Sequence, residues 1–355
     1  MPSKNPSVSI QKSNYENIDI GSLLKPIGGI KKYVKKGERV LLKTNLLTAT
    51  EPEKVVVTNP RVVGAVAKEV QKAGATPIIG DSPIGLFNKR KLKKVYKKSG
   101  LMDLSKELGI ELNYDTSCKK ISVPNGEKLK KTRIGNYVLK SDKIISLPKL
   151  KTHYYMILTL ATKIMFGAVP GLHKAKYHSL YPRKKDFSDM LLDVLSVATP
   201  NLVIMDGITA MEGDGPIDGN PVDIGLLFAS NDSVALDLSV CKILDINPEI
   251  IPILKQAKTR NMYPEKINYP LLTPEEVKFK DFKLPESGTI LLTGRKEPSR
   301  YPHMTDRCTA CGECVQVCPR NAIKIRDKRA RVDYEKCIKC YCCHETCRYS
   351  AIELK

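Results

Sequence analysis

The sequence predicts a large α/β domain, with a mostly parallel sheet covered by helices on both faces, followed by a small cysteine-rich domain. Short apolar runs alternate with amphipathic stretches over most of the first 295 residues, as in βαβ units. Strands of about five residues separated by helices are typical of a parallel sheet that is buried on both sides. Nine of the 11 Cys lie after position 300, which sets the end of the chain apart.

The predicted elements follow in chain order. A strand at 39–43 (RVLLK) precedes a helix that begins with Asn59 as N-cap and Pro60 in its first turn, and that ends before Gly74. Further strands are predicted at 76–80, 110–114, 143–147, 202–205, 224–229 and 290–293, and further helical segments at 89–99, 103–108, 186–198 and 232–244.

A linker is predicted between the two domains. Residues 293–307 (TGRKEPSRYPHMTDR) are polar, contain two prolines and show no periodicity. We place the boundary near residue 298, which gives an α/β domain at 1–297 and a cysteine-rich domain at 298–355.

The cysteine spacing of the second domain is typical of a bacterial ferredoxin with two [4Fe–4S] clusters. Two runs of the form C-x2-C-x2-C-x3-C begin 29 residues apart, and in this pattern the fourth Cys of each run binds the other cluster. Cluster 1 would therefore be bound by Cys308, Cys311, Cys314 and Cys347, and cluster 2 by Cys337, Cys340, Cys343 and Cys318.

Structural zinc is the alternative for these cysteines, but a tetrahedral zinc site gives no reason for a duplicated run of four. Two details depart from the commonest ferredoxin pattern: Arg348 rather than proline follows the last Cys, and Cys342 is a ninth thiol. The spacing favours Cys343 over Cys342 as ligand. We interpret His344 as a surface residue or a hydrogen-bond donor to the ligands.

Charge and composition exclude several function classes. The chain has 59 Lys+Arg against 38 Asp+Glu, a formal charge of +21, but only 6 % aromatic residues and no Trp, which argues against a nucleic-acid surface built on base stacking. No apolar run approaches the roughly 18 to 20 residues that span a bilayer, and the amino terminus does not resemble a secretory signal. We expect a cytoplasmic protein without a membrane partner. The absence of G-x-G-x-x-G after a strand and of a P-loop motif argues against nicotinamide binding and ATP hydrolysis.

Polar residues follow several predicted strands, at the edge where open parallel sheets bind their ligands. The candidates for substrate binding or catalysis at these ends are Lys43, Asn45, Asp81, Ser82, Lys149, Lys151 and His153. Further along the chain come Lys163, His173 and His178, and then Asp206 and Glu212 in a glycine-rich stretch that is predicted to be a loop.

This set of residues is suited to a small anionic substrate. Lysines, histidines and glycine-bordered turns bind phosphate or carboxylate through charge-assisted hydrogen bonds and exposed backbone N–H groups. Asp206 and Glu212 are candidates for proton delivery or metal binding. The alternative is that the lysines are solvated, the histidines are ordinary loop residues and the acids cap turns.

The stretch 88–98 (NKRKLKKVYKK) carries seven basic residues. We interpret it as a solvated helix face. A docking site for an acidic redox partner, such as a ferredoxin, is the next explanation, because opposite potentials speed encounter.

Six motifs together resemble the domain of unknown function 362 family, whose members are often joined to a two-cluster ferredoxin domain. They are the Lys-Thr-Asn at 43–45, GDSP at 80–83, SLPKLKTH at 146–153, FGAVPG at 166–171, MDGITAMEGDGP at 205–216 and CIKCYCCHETC at 337–347. The resemblance implies the fold and the electron-carrying domain, but no reaction. Ile164 stands where the family pattern has Asn. A fainter similarity, of TKIMFGAVPG, is to nickel-pincer lactate racemases.

The sequence thus favours a cytoplasmic iron–sulfur oxidoreductase whose two clusters pass single electrons to or from an anionic substrate. In this hypothesis Lys43, Lys149, Lys151, His153 and Lys163 hold the substrate. A non-enzymatic electron carrier or assembly module that docks a redox partner is one alternative. A basic nucleic-acid-binding protein with structural clusters is another.

Overall fold

The structure, a computed structural model that describes residues 4–292 and 300–355, has an α/β fold with helices on both faces of a mixed, mostly parallel sheet. The predicted boundary near residue 298 falls between the two described ranges and stays a prediction. None of the helices in these two ranges is both long and apolar enough to cross a bilayer.

The strands have the following bounds: β1 Ser9–Lys12, β2 Arg39–Thr44, β3 Thr76–Gly80, β4 Glu111–Leu112, β5 Cys118–Ser122, β6 Lys131–Gly135, β7 Lys143–Leu147, β8 Lys149–His153, β9 Ile157–Thr159, β10 Leu202–Glu212, β11 Asn220–Ser230, β12 Pro302–Met304, β13 Ile323–Arg326, β14 Arg329–Val332 and β15 Ile352–Leu354.

The helices have the following bounds: α1 Ile20–Leu24, α2 Pro60–Lys72, α3 Lys89–Lys98, α4 Leu101–Leu108, α5 Asn136–Leu139, α6 Ala161–Ile164, α7 Leu172–Leu180, α8 Lys184–Val197, α9 Ser233–Ile243, α10 Pro252–Thr259, α11 Glu286–Leu292, α12 Glu313–Val317 and α13 Cys342–Thr346.

The main sheet has nine strands in the described residues, with β1-β11-β10-β7-β2-β3-β4 as its main order. The pairs between β4 and β10 along this path are parallel, while β11 pairs antiparallel with both β10 and β1. The strand β8 continues β7 along β10 and carries β9 at its side. Together, β8 and the long β10 extend the sheet beyond the carboxyl ends of its central strands.

The alternating side chains of the strands fill two separate cores. Val40 and Leu42 of β2 pack into the core under α1, α2 and α3, whereas Leu41 packs into the core under α8, α9 and α10. Because successive side chains of a strand point to opposite faces, this division accounts for the continuous apolar run RVLLK. Asn59 caps α2 by accepting from Arg61 N, as predicted.

Three sequence predictions about local structure are wrong. Residues 290–292 belong to the helix α11 rather than to a strand, and Thr293 lies outside the described residues. Residues 206–212, predicted as a loop, and residues 149–153, where no strand is predicted, are strands, and β8 and β10 pair with each other beyond the central sheet. Residues 302–304 of the predicted linker form β12, which pairs with β15.

The cysteine-rich domain repeats one unit twice. Each unit has a cysteine loop, a short helix (α12 or α13) and a following strand. Left-handed backbone angles recur at equivalent places in the two loops, with φ 53° at Ala310 and 54° at Lys339, then 51° at Asn321 and 45° at Ser350. Such angles are uncommon outside glycine. The two loops therefore share one specific shape.

A buried carboxylate fixes the short helix α6, which carries Lys163. Asp237 of α9 accepts hydrogen bonds from Ala161 N at 2.8 Å, Thr162 N at 3.0 Å and Thr162 Oγ1 at 2.6 Å. These bonds satisfy backbone donors that a helix start leaves unpaired. Asp237 therefore positions the segment that presents Lys163.

Replacing Asp237 tests this role. Asp237→Asn puts an N–H donor where a carboxylate oxygen accepts, so we expect the free energy of unfolding to fall by about 1–3 kcal/mol. Urea titration measures the change. Asp245→Asn, at a side chain that is 75 % exposed, is the control and should change stability by well under 1 kcal/mol. Equal stability of the two variants would contradict the assignment.

Candidate functional site

Lys43 and Asp81 form a buried ion pair at the carboxyl ends of β2 and β3. Lys43 Nζ lies 2.8 Å from Asp81 Oδ1, and both side chains are at most 7 % exposed. Asp81 also accepts from Leu46 N and Ser82 N, each at 2.8 Å. A Cβ on Gly167 would lie 2.2 Å from Asp81 Oδ1, so only glycine lets the chain pass this closely over the ion pair.

Lys149 and Asp206 form a second buried ion pair, between β8 and β10. Lys149 Nζ donates to Asp206 Oδ2 and to Tyr15 Oη, each at 2.8 Å, and Asp206 also accepts from Asn59 N at 3.0 Å. Burial lowers the pKa of Lys149, and the neighbouring Asp206 opposes that shift. The alternative in which Lys149 is solvated is wrong, because the residue is only 2 % exposed.

Lys151, two residues further along β8, has no carboxylate as hydrogen-bond partner within the described residues. Its Nζ donates to Val56 O at 2.6 Å, and the residue is 1 % exposed. Burial, helped by the positive charge of Lys163, lowers the pKa of Lys151 to about 7. Lys151 is therefore a buried group whose charge changes near neutral pH.

His153, at the end of β8, connects the two domains. Its Nδ1 accepts from Tyr155 N at 3.1 Å and from Met156 N at 3.2 Å, so Nδ1 carries no proton. The proton of the neutral ring then lies on Nε2, which is 3.1 Å from Glu345 Oε1 of the cysteine-rich domain. Burial lowers the pKa of His153 to about 4, which keeps the ring neutral at pH 7.

Lys174 of α7 is held by oxygens of the backbone and of Ser82. Its Nζ donates to Ser82 O at 2.6 Å, to Ser82 Oγ at 2.9 Å and to Val169 O at 3.0 Å. These three acceptors use all three N–H groups of an ammonium. Lys174 thereby fixes the FGAVPG turn against the end of β3.

A cavity of about 80 Å³, here called the roofed cavity, lies where the α/β domain meets the cysteine-rich domain. Its lining from the α/β domain includes Asn45, Asp81, Ser82, Lys163, Lys174 and His178, and its lining from the cysteine-rich domain is Cys342 and Glu345. The α/β residues provide the floor and walls, and the segment 342–345 is the roof.

Two groups at the roofed cavity have no hydrogen-bond partner among the described residues, namely the ammonium of Lys163 and the ring nitrogens of His178. The ring of His178 stacks on Phe187 with centroids 4.2 Å apart, and the residue is 7 % exposed. Burial lowers the pKa of His178 to about 4 and also lowers that of Lys163. The cavity therefore offers hydrogen-bonding groups to a ligand.

The structure places other candidates away from this cavity. Glu212 accepts from Lys283 N at 3.0 Å, and His173 is half-buried on α7 without reaching the cavity lining. Lys149 and Asp206 pair with each other behind Lys151. Within residues 4–292 and 300–355, no three His, Cys, Asp or Glu side chains are grouped to hold a single metal ion.

Sequence reasoning missed Glu345 and Cys342 as cavity residues and assigned no role to Lys174. Glu345 and Cys342 follow the α/β residues by more than 160 positions, so no local pattern shows that they face Lys163. Lys174 lies between the two candidate histidines of α7, and this position is the sequence feature that could have indicated a place in the site.

The thiols of the cysteine-rich domain form two groups. Burial, together with the neighbouring thiols of Cys311, Cys347 and Cys308, raises the pKa of Cys314 to about 11. The same effects raise the pKa of Cys343, whose neighbours are Cys340, Cys314, Cys337 and Cys318. The fourth thiol of the other run is thus among the neighbours of each of these two cysteines, Cys347 for Cys314 and Cys318 for Cys343.

The loops fit [4Fe–4S] clusters in their donors as well as in their spacing. Backbone N–H groups point at cysteine sulfurs at equivalent positions of the two units, from Ala322 to Cys318 Sγ at 3.2 Å and from Ala351 to Cys347 Sγ at 3.3 Å. Such hydrogen bonds tune cluster sulfurs. Cys342 hydrogen-bonds with Cys340 and lowers the pKa of that thiol. Cys342 therefore lies beside the predicted cluster ligand Cys340 and hydrogen-bonds with it.

Polar and apolar contacts attach the cysteine-rich domain to the α/β domain. His344 Nε2 lies 2.9 Å from Asp218 Oδ2, and the Tyr341 and Tyr154 rings meet edge to face at 5.3 Å. Cys342 and Val317 pack with Ile84 in one apolar cluster. His344 is 6 % exposed, so its expected place on the surface is wrong, and its partner is a carboxylate of the other domain.

These features define an iron–sulfur protein of the electron-transfer class, in which a ferredoxin-type domain is packed on an α/β domain. The description "Domain of unknown function (DUF362)" matches residues 40–242, and a 4Fe-4S binding domain matches residues 301–324. The chain belongs to the DUF362 family.

Relatives are found over most of the chain and over short segments of it. A thylakoid-associated protein of Synechocystis sp. is 36 % identical over 288 residues, which cover 79 % of this chain and 88 % of that protein. A component of the ion-translocating oxidoreductase complex of Methanosarcina acetivorans is 40 % identical over 48 residues, 14 % of this chain and 18 % of that protein. The PorD component of pyruvate synthase from Methanothermobacter marburgensis is 36 % identical over 50 residues, 14 % of this chain and 58 % of that protein.

Among solved structures, the lactate racemase apoprotein of Thermoanaerobacterium thermosaccharolyticum aligns with a TM-score of 0.43 and 14 % identity, over 68 % of this chain and 58 % of that one. The cytoplasmic location stays a prediction from sequence, since a relative is thylakoid-associated.

The cysteine grouping generates a prediction about iron content. Anaerobically prepared protein should contain about eight iron and eight acid-labile sulfide per chain, because each group of four thiols would hold one cubane. Cys318→Ala should lower the iron content to about half, while the matched change Cys342→Ala should leave it unaltered. Metal analysis and sulfide titration measure both. Zinc in place of iron, or equal losses in the two variants, would contradict the grouping.

Proposed function

We propose that the protein is an oxidoreductase in which two [4Fe–4S] clusters exchange single electrons with a small anion bound in the roofed cavity. The observation that carries this proposal is the position of α13. This helix contains the cluster-ligand candidate Cys343, and it covers a cationic cavity of the α/β domain with Cys342 and Glu345.

The charges at the roofed cavity support an anionic ligand. Asp81 is already paired with Lys43, and Glu345 accepts from the neutral ring of His153. Lys163 has no anion or other acceptor among the described residues at hydrogen-bond distance. Lys163 is partly buried, and because an ammonium removed from water is costly unless it is hydrogen-bonded, an anion at this place would stabilise it through a charge-assisted hydrogen bond.

The volume of the cavity favours a small molecule. With about 80 Å³ of free space, the cavity has room for a ligand of a few non-hydrogen atoms. A small carboxylate or an inorganic oxoanion fits this space. A nucleotide is several times too large.

The cysteine groups differ in their distance from this ligand site. When bound, the clusters supply reversible one-electron transfer. Cys318, Cys337, Cys340 and Cys343 would hold cluster 2 next to Cys342, whose side chain lines the cavity. The other group contains Cys311, which is exposed, so cluster 1 would face solvent. This order supports electron exchange between solvent and cavity.

Side chains of the cavity would bind the ligand and manage its protons. Lys163 would pair with the negative charge of the ligand, and the neutral ring of His178 would exchange a hydrogen bond or a proton with it. His153 and the Lys43–Asp81 pair act as positioning residues, because they hold Glu345 and the end of β3.

Removing the free ammonium tests the anion site. Protein purified anaerobically and then denatured should release about one equivalent of a small anion, which mass spectrometry identifies. Lys163→Met should release less than a tenth of this amount, since a charge-assisted hydrogen bond is worth about 1.5–3 kcal/mol.

The matched control is Lys94→Met, at an exposed position of α3 without an ion pair among the described residues. It should release as much anion as the native protein, and both variants should keep their iron. Equal release from Lys163→Met, or no anion from any of the three proteins, would favour the electron-carrier alternative.

The pKa of Lys151 makes anion retention depend on pH. Burial lowers the pKa of Lys151, beside the cavity, and of Lys174, in its lining, to about 7, so the surroundings of the cavity become less positive as the pH rises through this value. We expect less anion to be retained after gel filtration at about pH 8.5 than at about pH 6. In Lys151→Met this difference should shrink. Retention that rises with pH in the native protein would contradict the site.

A further inference from the structure

A cationic ladder covers the outer face of the β13–β14 hairpin in the cysteine-rich domain. Lys324 pairs directly with Arg331, and Arg326 pairs directly with Arg329, across the two antiparallel strands. Like charges that face each other across a ladder are destabilising. Arg329 has an ion pair with Asp306 at 2.6 Å, whereas Lys324, Arg326 and Arg331 make none within the described residues.

This ladder does not serve to neutralise the cluster thiolates directly. The inner face of the hairpin carries Ile323, Ala330 and Val332, which pack with the cysteines of both groups. Because side chains alternate along a strand, the cations point away from the thiols and into solvent. Lys324, Arg326 and Arg331 are exposed.

The ladder lies beside the solvent-facing cysteine group. Ile325 and Tyr349, each 40 % exposed, line the space around Cys308, Cys311 and Cys347. Ile325 pairs with Ala330 on the inner face of the hairpin, whereas its neighbours Lys324 and Arg326 lie on the outer face. The apolar patch and the cations therefore meet along the edge of the hairpin, where a partner that covers this edge would contact both.

We propose that the outer face of this hairpin, together with Ile325 and Tyr349, is the docking surface for an acidic electron-transfer protein. This inference rests on the proposed function and names the place where its redox partner binds. In each encounter the partner loses one electron and cluster 1 gains it, or the reverse. A complementary acidic surface relieves the repulsion within the ladder and brings the two centres together.

The basic helix α3 is a weaker candidate for the same role. Lys91, the residue of α3 nearest the cysteine-rich domain, is occupied by Glu313 at 3.6 Å, and Lys98 pairs with Glu51. The hairpin ladder, by contrast, has three cations without an anionic partner in the described part of the chain.

Charge reversal on the ladder tests the proposal. The probe is a small acidic [2Fe–2S] ferredoxin, and the test variant is Lys324→Glu/Arg331→Glu, which keeps a like-charged pair across the ladder. Stopped-flow mixing with the reduced probe should give a bimolecular rate constant at least about tenfold below that of the native protein. Calorimetric titration with the oxidised probe should show weakened binding.

The matched control is Lys31→Glu/Lys36→Glu, with the same change of charge at exposed residues before β2, at the opposite end of the parallel strands. Its rate constant should stay within about twofold of native. All proteins should hold their iron and be reduced by methyl viologen radical, a small cationic donor. Reduction by viologen tests the proposed function independently of the docking surface. Native protein that holds no iron, or that viologen does not reduce, would contradict the proposed function.

Salt dependence of the native protein needs no variant. Raising the ionic strength from about 20 mM to about 300 mM should slow the reaction with ferredoxin at least about tenfold. Equal slowing of the reaction with ferredoxin in the hairpin variant and in the control overturns the proposal, and so does a rate constant that does not depend on salt. Native protein that viologen reduces but that does not react with ferredoxin overturns it as well. Binding of the hairpin to anionic vesicles without any effect on ferredoxin would also overturn it, in favour of a membrane surface.

Discussion

Burial of several lysines at one end of the sheet is the constraint on which both domains depend. Lys43, Lys149 and Lys151 are each at most 2 % exposed. A buried charge is tolerated only when it is paired and hydrogen-bonded. Two of these lysines have carboxylate partners within the α/β domain, and Lys151 has only a carbonyl. The carboxylate that most strongly offsets the charges of Lys151 and Lys163 is Glu345 of the other domain. The cysteine-rich domain therefore completes the electrostatics of the α/β domain.

The contact between His153 and Glu345 attaches the cysteine-rich domain to the α/β domain through a neutral ring, so His153 itself adds no further positive charge. Two backbone N–H groups occupy Nδ1 of His153, so the ring presents a single N–H to Glu345. Burial alone would raise the pKa of Glu345, but the hydrogen bond with His153 and the positive charge of Lys163 bring it down to about 2. The roof of the cavity thus brings one negative charge to an excess of positive charge, and the remaining ammonium of Lys163 is left for a ligand. Attachment of the domains and binding of an anion are parts of one charge balance.

Much of the fold could be predicted from sequence because local patterns determine it. Apolar runs such as RVLLK, the Asn59–Pro60 helix start and the duplicated cysteine spacing each depend on residues close together in the chain. The prediction failed where pairing between distant segments decides the structure. Residues 149–153 look polar and loop-like, yet they form a strand because β10 lies alongside them. The candidate site was predicted in part for the same reason: Lys163 and His178 reach the cavity, but its roof comes from residues near position 345.

The position of iron in crystals of anaerobic protein tests the central claim most directly, since an anomalous difference map at the iron edge locates each cluster independently of any partner or assay. The account predicts two four-iron peaks, with the peak held by Cys318, Cys337, Cys340 and Cys343 behind Cys342, and density for a small anion between Lys163 and the 342–345 roof. A single peak, zinc in place of iron, or an empty cavity with the other cluster nearer to Lys163 would contradict it.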